Sequence, residues 1–205
     1  MDRVFVLLPI EEVITAIFWA ITYLLICISG FLSKDVRKIA MPYVPGVLNY
    51  AWEVNALVYS HGVWVYDIWW GLDMLIVFWG IYFLDSKRMK IIYIISVIMS
   101  TICLKMIFSF EYGALVTVFL IDLVMAISYL VRFKSLSLFL KKEIAIFRFL
   151  GDFFAGVAGI KYSPYYAIFS IIVCILNGIY VYKCFFEKSD LNCKIKHNLK
   201  YQEKN

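Results

Sequence analysis

Apolar runs, each about twenty residues long and parted by short charged clusters or tight turns, decide what this chain can become. They fall at about 11–32, 40–60, 63–84, 90–108, 111–131, 143–160 and 164–186. A helix rising about 1.5 Å per residue crosses the hydrocarbon core of a bilayer in roughly 20 residues. Apolar residues make up 63% of the sequence and charged ones 17%, and the charges gather between the runs instead of covering an amphipathic surface. That pattern excludes an ordinary soluble domain. The expected fold is all-α, an integral membrane seven-helix bundle formed by residues 1–187, with 188–205 as a polar cytosolic tail. Asp2, Glu11 and Glu12 are wrong for a positively charged leader, so the first run is expected to remain as a span.

The basic residues set an orientation. All but Arg3, Lys105, Arg148 and Lys161 of the 20 Lys and Arg lie in the clusters that follow the first, third and fifth runs or from Lys183, at the end of the seventh, onward. By the positive-inside rule this predicts an amino terminus outside and a carboxyl terminus in the cytosol. The net charge of +5 is thus the flank of a membrane protein and no sign of a nucleic-acid partner. The five cysteines show no metal-ligand spacing, and Cys27, Cys103 and Cys174 sit within apolar runs as small hydrophobes. In the sixth run Gly151, Ala155 and Gly159 recur every fourth residue, a seam for close helix packing.

Chemistry concentrates between Val47 and Phe78, where Asn49, Glu53, Asp67 and Asp73 sit among tryptophans and tyrosines. Acids at membrane depth are costly, so such residues mark function by default. Asn49 and Glu53, four apart, share one helix face. Asp67, Trp70 and Asp73 are spaced by three on the next helix, and the Ser60-His61-Gly62 turn sets the two helices side by side. Arg148 and Asp152, also four apart, are expected to pair with each other as a structural ion pair. Glu53 has no such cation; it either holds its proton as a Brønsted acid or only hydrogen-bonds Asn49 or a neighbouring helix. Trp52 and Trp70 are close enough to these carboxyls for their faces to steady a developing cation, whereas Trp64 and Trp69 suit an interfacial belt. Lys105 and Glu111 fall near the outer ends of their spans, and Asp122 lies at mid-depth. His61, in a turn, and His197, in the tail, are assigned no role. An acid in an aromatic lining suits protonation of an isoprenoid double bond or epoxide, followed by ring closure.

Asn49-Tyr50-Ala51-Trp52-Glu53, with Val63-Trp64 and Trp70-Gly71-Leu72-Asp73 after the turn, resembles the membrane-bound terpene cyclases of fungal meroterpenoid pathways and their bacterial relatives. The specific likeness covers about 30 residues; length and span count agree with it. The resemblance implies a seven-span enzyme that protonates a prenyl chain, often epoxidised, and folds it into rings with no metal or other cofactor. It implies Glu53 as the general acid or its orienting partner, Asp73 in support, and Asn49 and Trp52 shaping the site. The family's second acid, in a D-x-x-Y setting of the last helix, falls on Asn177-Gly178-Ile179-Tyr180, with Asn in place of Asp. Asn177 cannot donate a proton to an alkene but can hydrogen-bond Glu53 or a head group. The candidate site is therefore Glu53, Asp73 and Asn177 as catalytic residues, with Asn49, Trp52, Asp67, Trp70 and Tyr180 around the substrate.

The expected partners are the lipid bilayer and a hydrophobic isoprenoid substrate, with no obligate protein partner. The expected location is multi-pass in the cell membrane of a bacterium or an endomembrane of a eukaryote. Two other classes stay open: a non-catalytic structural or immunity-type membrane protein, and a small proton-coupled transporter. A retinal-type photoreceptor fits poorly, because Lys183 falls at the end of the seventh run and not at mid-membrane.

Overall fold

The computed structural model describes residues 9–32, 43–59, 64–84, 86–110, 112–134, 140–162 and 165–186. All of its regular structure is helical: α1 (Ile10–Leu32), α2 (Tyr43–Tyr59), α3 (Trp64–Phe83), α4 (Lys87–Phe108), α5 (Gly113–Val131), α6 (Lys141–Tyr162) and α7 (Tyr165–Phe186). Each helix covers one of the expected runs, with ends that agree to within a helical turn. The Ser60-His61-Gly62 turn, Glu111, His197 and the 188–205 tail lie outside the described residues.

Helix ends follow local chemistry. Pro45 sits in the first turn of α2, where a missing amide N–H has no helical partner to lose. Between α4 and α5 the chain reverses through Tyr112 in the left-handed region (φ 61°). There Gly113 is required, since a Cβ at that position would lie 1.9 Å from the Ile107 carbonyl oxygen.

The helices close into a ring. Going round it, α1 packs on α3, α3 on α2, α2 on α5, α5 on α7, α7 on α6 and α6 back on α1. The remaining helix, α4, lies outside against α2, α5 and the edge of α3. This arrangement encloses α2 on three sides, and it buries Asn49, Trp52, Glu53 and Asn55 together. By contrast α4 buries only Tyr93 and Leu104 and turns Ile91, Ile95, Ile98 and Ile102 outward.

Four helices are long and apolar enough to cross a membrane: α1, α4, α5 and most of α7. The ring encloses polar groups from both these helices and the other three: Asn49 and Glu53 on α2, Asp73 on α3, Asp122 on α5, Arg148 and Asp152 on α6, and Asn177 on α7. Large apolar side chains cover the outside, among them Leu24, Phe78, Leu120, Ile127, Phe153 and Ile175. Polar inside and oily outside is the arrangement that a bilayer stabilises. The small-residue seam of α6 faces inward as its spacing predicts. A Cβ on Gly151 would meet Trp19 of α1 at 2.9 Å, and one on Gly159 would meet Phe119 of α5 at 2.8 Å.

Candidate functional site

At the end of the bundle where α1, α3 and α5 begin, the ring is not filled. A cavity of about 470 Å³ reaches from Glu12, Val65 and Ala114 inward to Tyr23, Asn49, Glu53 and Asp122. Its walls are mostly aromatic and small apolar side chains: Trp19 from α1, Trp52 from α2, Tyr66 and Trp69 from α3, Phe119 from α5, and Ala155, Ala158 and Gly159 from α6.

The rings are fixed by polar tips and edges. Trp52 donates its indole N–H to the Ala114 carbonyl at 3.0 Å, and Trp69 donates to the Ala16 carbonyl at 3.3 Å. These carbonyls belong to other helices, so each indole locks the distance between two ring members. Tyr66 stands between them, 6.0 Å from the Trp52 centroid and 5.6 Å from that of Trp69. Trp19 lies 5.3 Å from Tyr23.

Polar groups form the floor. Asn49 donates its side-chain amide to the Tyr23 hydroxyl at 2.6 Å and to Asp73 Oδ2 at 2.5 Å. The Tyr23 hydroxyl in turn hydrogen-bonds the Glu53 carboxyl. Glu53 and Asp73 are each only 1% exposed. Among the described residues Glu53 Oε2 and Asp73 Oδ1 have no hydrogen-bond partner. Glu53 thus presents, beside a cavity, a carboxyl held by one oxygen and uncommitted at the other. Lys105 on α4 is exposed and outside the cavity lining. No group of three potential metal ligands converges among the described residues.

A second polar cluster lies behind the first. Arg148 NH2 is 3.9 Å from Asp152 Oδ2, and the guanidinium sits 4.3 Å over the Tyr129 ring. Asn177 donates to Asp152, and Tyr129 meets Tyr180 edge-on at 5.2 Å. Asp122 joins the two clusters: it lines the cavity and interacts electrostatically with Glu53 on one side and with Asp152 and Arg148 on the other.

The expected site residues therefore divide. Asn49, Trp52, Glu53 and Asp73 come together. Asn177 and Tyr180 are buried, but against Asp152 and Tyr129 and not on the cavity wall. Asp67 and Trp70 are half-buried and outside the lining, and Trp69 takes the position expected of Trp70. The cause is helical pitch: two steps of three residues rotate by about 600°, leaving Asp67 some 120° away from Asp73. The stripe that does face inward is Tyr66, Trp69, Asp73 and Ile76, with alternating steps of three and four.

Tyr23, Trp19 and Asp122 complete the site without having been expected there. A signal existed for the first two. Thr15, Trp19, Thr22, Tyr23, Ile26 and Ser29, all buried, trace one stripe of α1 that carries polar and aromatic residues. The chain matches no family model, no curated protein and no solved structure.

Proposed function

We propose that this is a multi-pass integral membrane protein, amino terminus outside and carboxyl terminus cytosolic, that starts cyclisation of a prenyl chain by protonating it. One observation carries the proposal: the Glu53 carboxyl, buried and half-committed to Tyr23, borders an aromatic-walled cavity large enough for an oily guest. The volume of about 470 Å³ lies inside the usual range for small-molecule sites, about 300–1,000 Å³.

In this mechanism Glu53 gives its proton to a terminal epoxide oxygen or alkene carbon. The resulting electron-poor carbon is attacked by the next double bond of the chain. Trp19, Trp52, Tyr66 and Trp69 turn π surfaces toward the charge as it migrates, stabilisation that water could not give without quenching the cation. Loss of a proton from the last cation restores the count, so substrate and product have equal mass. Asn49 and Asp73 are positioning residues that hold Tyr23 and, through it, Glu53. Asn177 and Tyr180 act at one remove, steadying the Asp152–Arg148 pair behind Asp122.

The test is incubation of membranes holding the protein with farnesyl-aryl compounds, plain and epoxidised, and a search for isomers of unchanged mass. Glu53→Gln keeps the shape and removes the acid; it is expected to abolish the product while the protein stays in the membrane. An active Glu53→Gln protein would remove Glu53 from the chemistry. A proton-coupled carrier is the second reading, favoured by the succession Glu53, Asp122, Asp152 through the ring. Substrate-driven pH change in sealed proteoliposomes, without any isomer formed, would decide for it.

A further inference from the structure

The charge balance of the cavity points beyond a neutral prenyl guest. Its lining includes Glu12 at the mouth and Glu53 and Asp122 farther in, and among the described residues it includes no Lys, Arg or His. Lys161 and Arg148 stand outside the lining. Lys161 pairs with Glu11 where α1 and α6 meet, and Arg148 lies behind Asp122, over Tyr129. Glu53 Oε2 is buried with no hydrogen-bond partner among the described residues. Around these acids stand the faces and edges of Trp19, Trp52, Tyr66 and Trp69. Carboxyls inside an aromatic enclosure that no basic residue lines form the arrangement that recognises alkylated ammonium groups.

We propose that the cavity binds lipophilic organic cations, amines or quaternary ammonium compounds with an apolar body, each exchanged for one proton. The cation supplies the partner that Glu53 Oε2 lacks and adds to the pull of Arg148 on Asp122, and its alkyl groups lie against the rings. Burying the ammonium unpaired is prohibitive, so one carboxyl gives its proton to solvent as the cation enters. The exchange leaves the net charge of the site unchanged. The groups that tune the exchange come from every neighbouring element: Glu12 and Tyr23 on α1, Asp73 on α3, Tyr93 on α4 by way of Asp73, Asp152 and Arg148 on α6, and Cys174 on α7. This inference concerns the cavity used above but does not rest on cyclase chemistry, since it requires a bound ground-state cation and no reaction.

The experiment uses the full chain in lipid nanodiscs and a matched pair of probes, benzyltrimethylammonium and its uncharged carbon isostere neopentylbenzene. Tryptophan fluorescence reports binding, because Trp19, Trp52 and Trp69 are in the wall. The cation is expected to bind about tenfold or more tighter than the isostere, as a desolvated ring-and-carboxyl site allows. Its affinity should climb with pH, by up to about tenfold per unit for one proton released, while that of the isostere stays level. Combining Glu53→Gln with Asp122→Asn should erase the preference for charge and leave the isostere and the helical circular dichroism unchanged. Equal affinities in the natural protein, no binding of the cation, or a pH-independent preference overturns the proposal whether or not the double variant folds. Turnover of prenyl substrates is scored separately, so a cyclase that ignores ammonium and a cation site that cyclises nothing give different results.

Discussion

Asn49 on α2 donates to Asp73 on α3 across 2.5 Å, at the depth where Glu53 faces the cavity. The same amide nitrogen reaches Tyr23 on α1, so one side chain ties three members of the ring. Replacing Asn49 by Ala strands the Asp73 carboxyl in a dry interior and leaves the Tyr23 hydroxyl with Glu53 as its one remaining partner among the described residues; a stranded buried group costs about 1–3 kcal/mol. Asn49→Ala is therefore expected to lower the thermal midpoint in detergent. It should also reduce turnover beyond what the loss of folded protein explains, because Tyr23, released by Asn49, no longer fixes Glu53. Asp73→Asn retains an acceptor for Asn49 and should be the milder change on both readouts.

The ion pair behind the cavity gives an asymmetric prediction. Arg148 is 1% exposed, and among the described residues none of its three side-chain nitrogens finds a hydrogen-bond partner. Asp152→Leu leaves a buried guanidinium that cannot lose its proton, a loss of about 3–5 kcal/mol. Arg148→Met leaves Asp152, which can become neutral by taking up a proton and still accept from Asn177. The Asp152 variant should therefore be the less stable of the two in denaturant titrations. If Arg148→Met proves equally damaging, the guanidinium does more than balance Asp152.

Two glycines in neighbouring helices should respond in opposite ways. A Cβ on Gly159 meets the Phe119 ring at 2.8 Å, and both residues line the cavity. Gly159→Ala pushes that ring toward the guest, at a cost of about 1–3 kcal/mol, and should select for shorter substrates. At Gly178 the added Cβ meets only Phe149 at 3.9 Å, an ordinary contact. There alanine relieves the entropic penalty of glycine in a helix and should stabilise by about 0.5–1 kcal/mol. Thermal melts of the two variants, with substrates of different prenyl length for Gly159→Ala, check both halves.

The seven helices were legible because seven apolar runs of about twenty residues, parted by charged clusters or turns, have the length and spacing of helices that satisfy their own backbone groups. The pair Asn49 and Glu53 was legible because a four-residue step stays on one face. Asp67 and Trp70 were misplaced for the converse reason: repeated steps of three drift around the helix. Trp69 looked like an interfacial residue because a tryptophan near a helix start usually is one; only the Ala16 carbonyl across the ring shows where it points. Asn177 could not be placed from sequence at all. Its neighbour is decided by which helices adjoin α7, and the closed order α5, α7, α6 sets it against Asp152 and not beside Glu53. Tyr23 was hidden because tyrosine satisfies either a wall or a membrane boundary, and its hydrogen bonds to α2 are a property of the assembled ring.

The outer helix tests the solvent itself. Ile98 on α4 is 53% exposed, within a row of exposed isoleucines that no other helix covers. In water, Ile98→Lys would remove an apolar patch and leave stability nearly unchanged, since exposed substitutions away from special features fall within about 0.5 kcal/mol. In a bilayer the same change sets a charge near the middle of a 22-residue helix, against lipid. Insertion scales put that cost at about 2.5–3.5 kcal/mol. Ile98→Lys is therefore expected to cut the amount of protein recovered in washed membranes, whereas Ile98→Leu should not. Lys on the buried side, at Leu104, would be damaging in either solvent and so serves as the control for folding. Equal membrane yields for Ile98→Lys and the natural chain would mean that this face of α4 does not meet lipid, and that the ring is covered by something else.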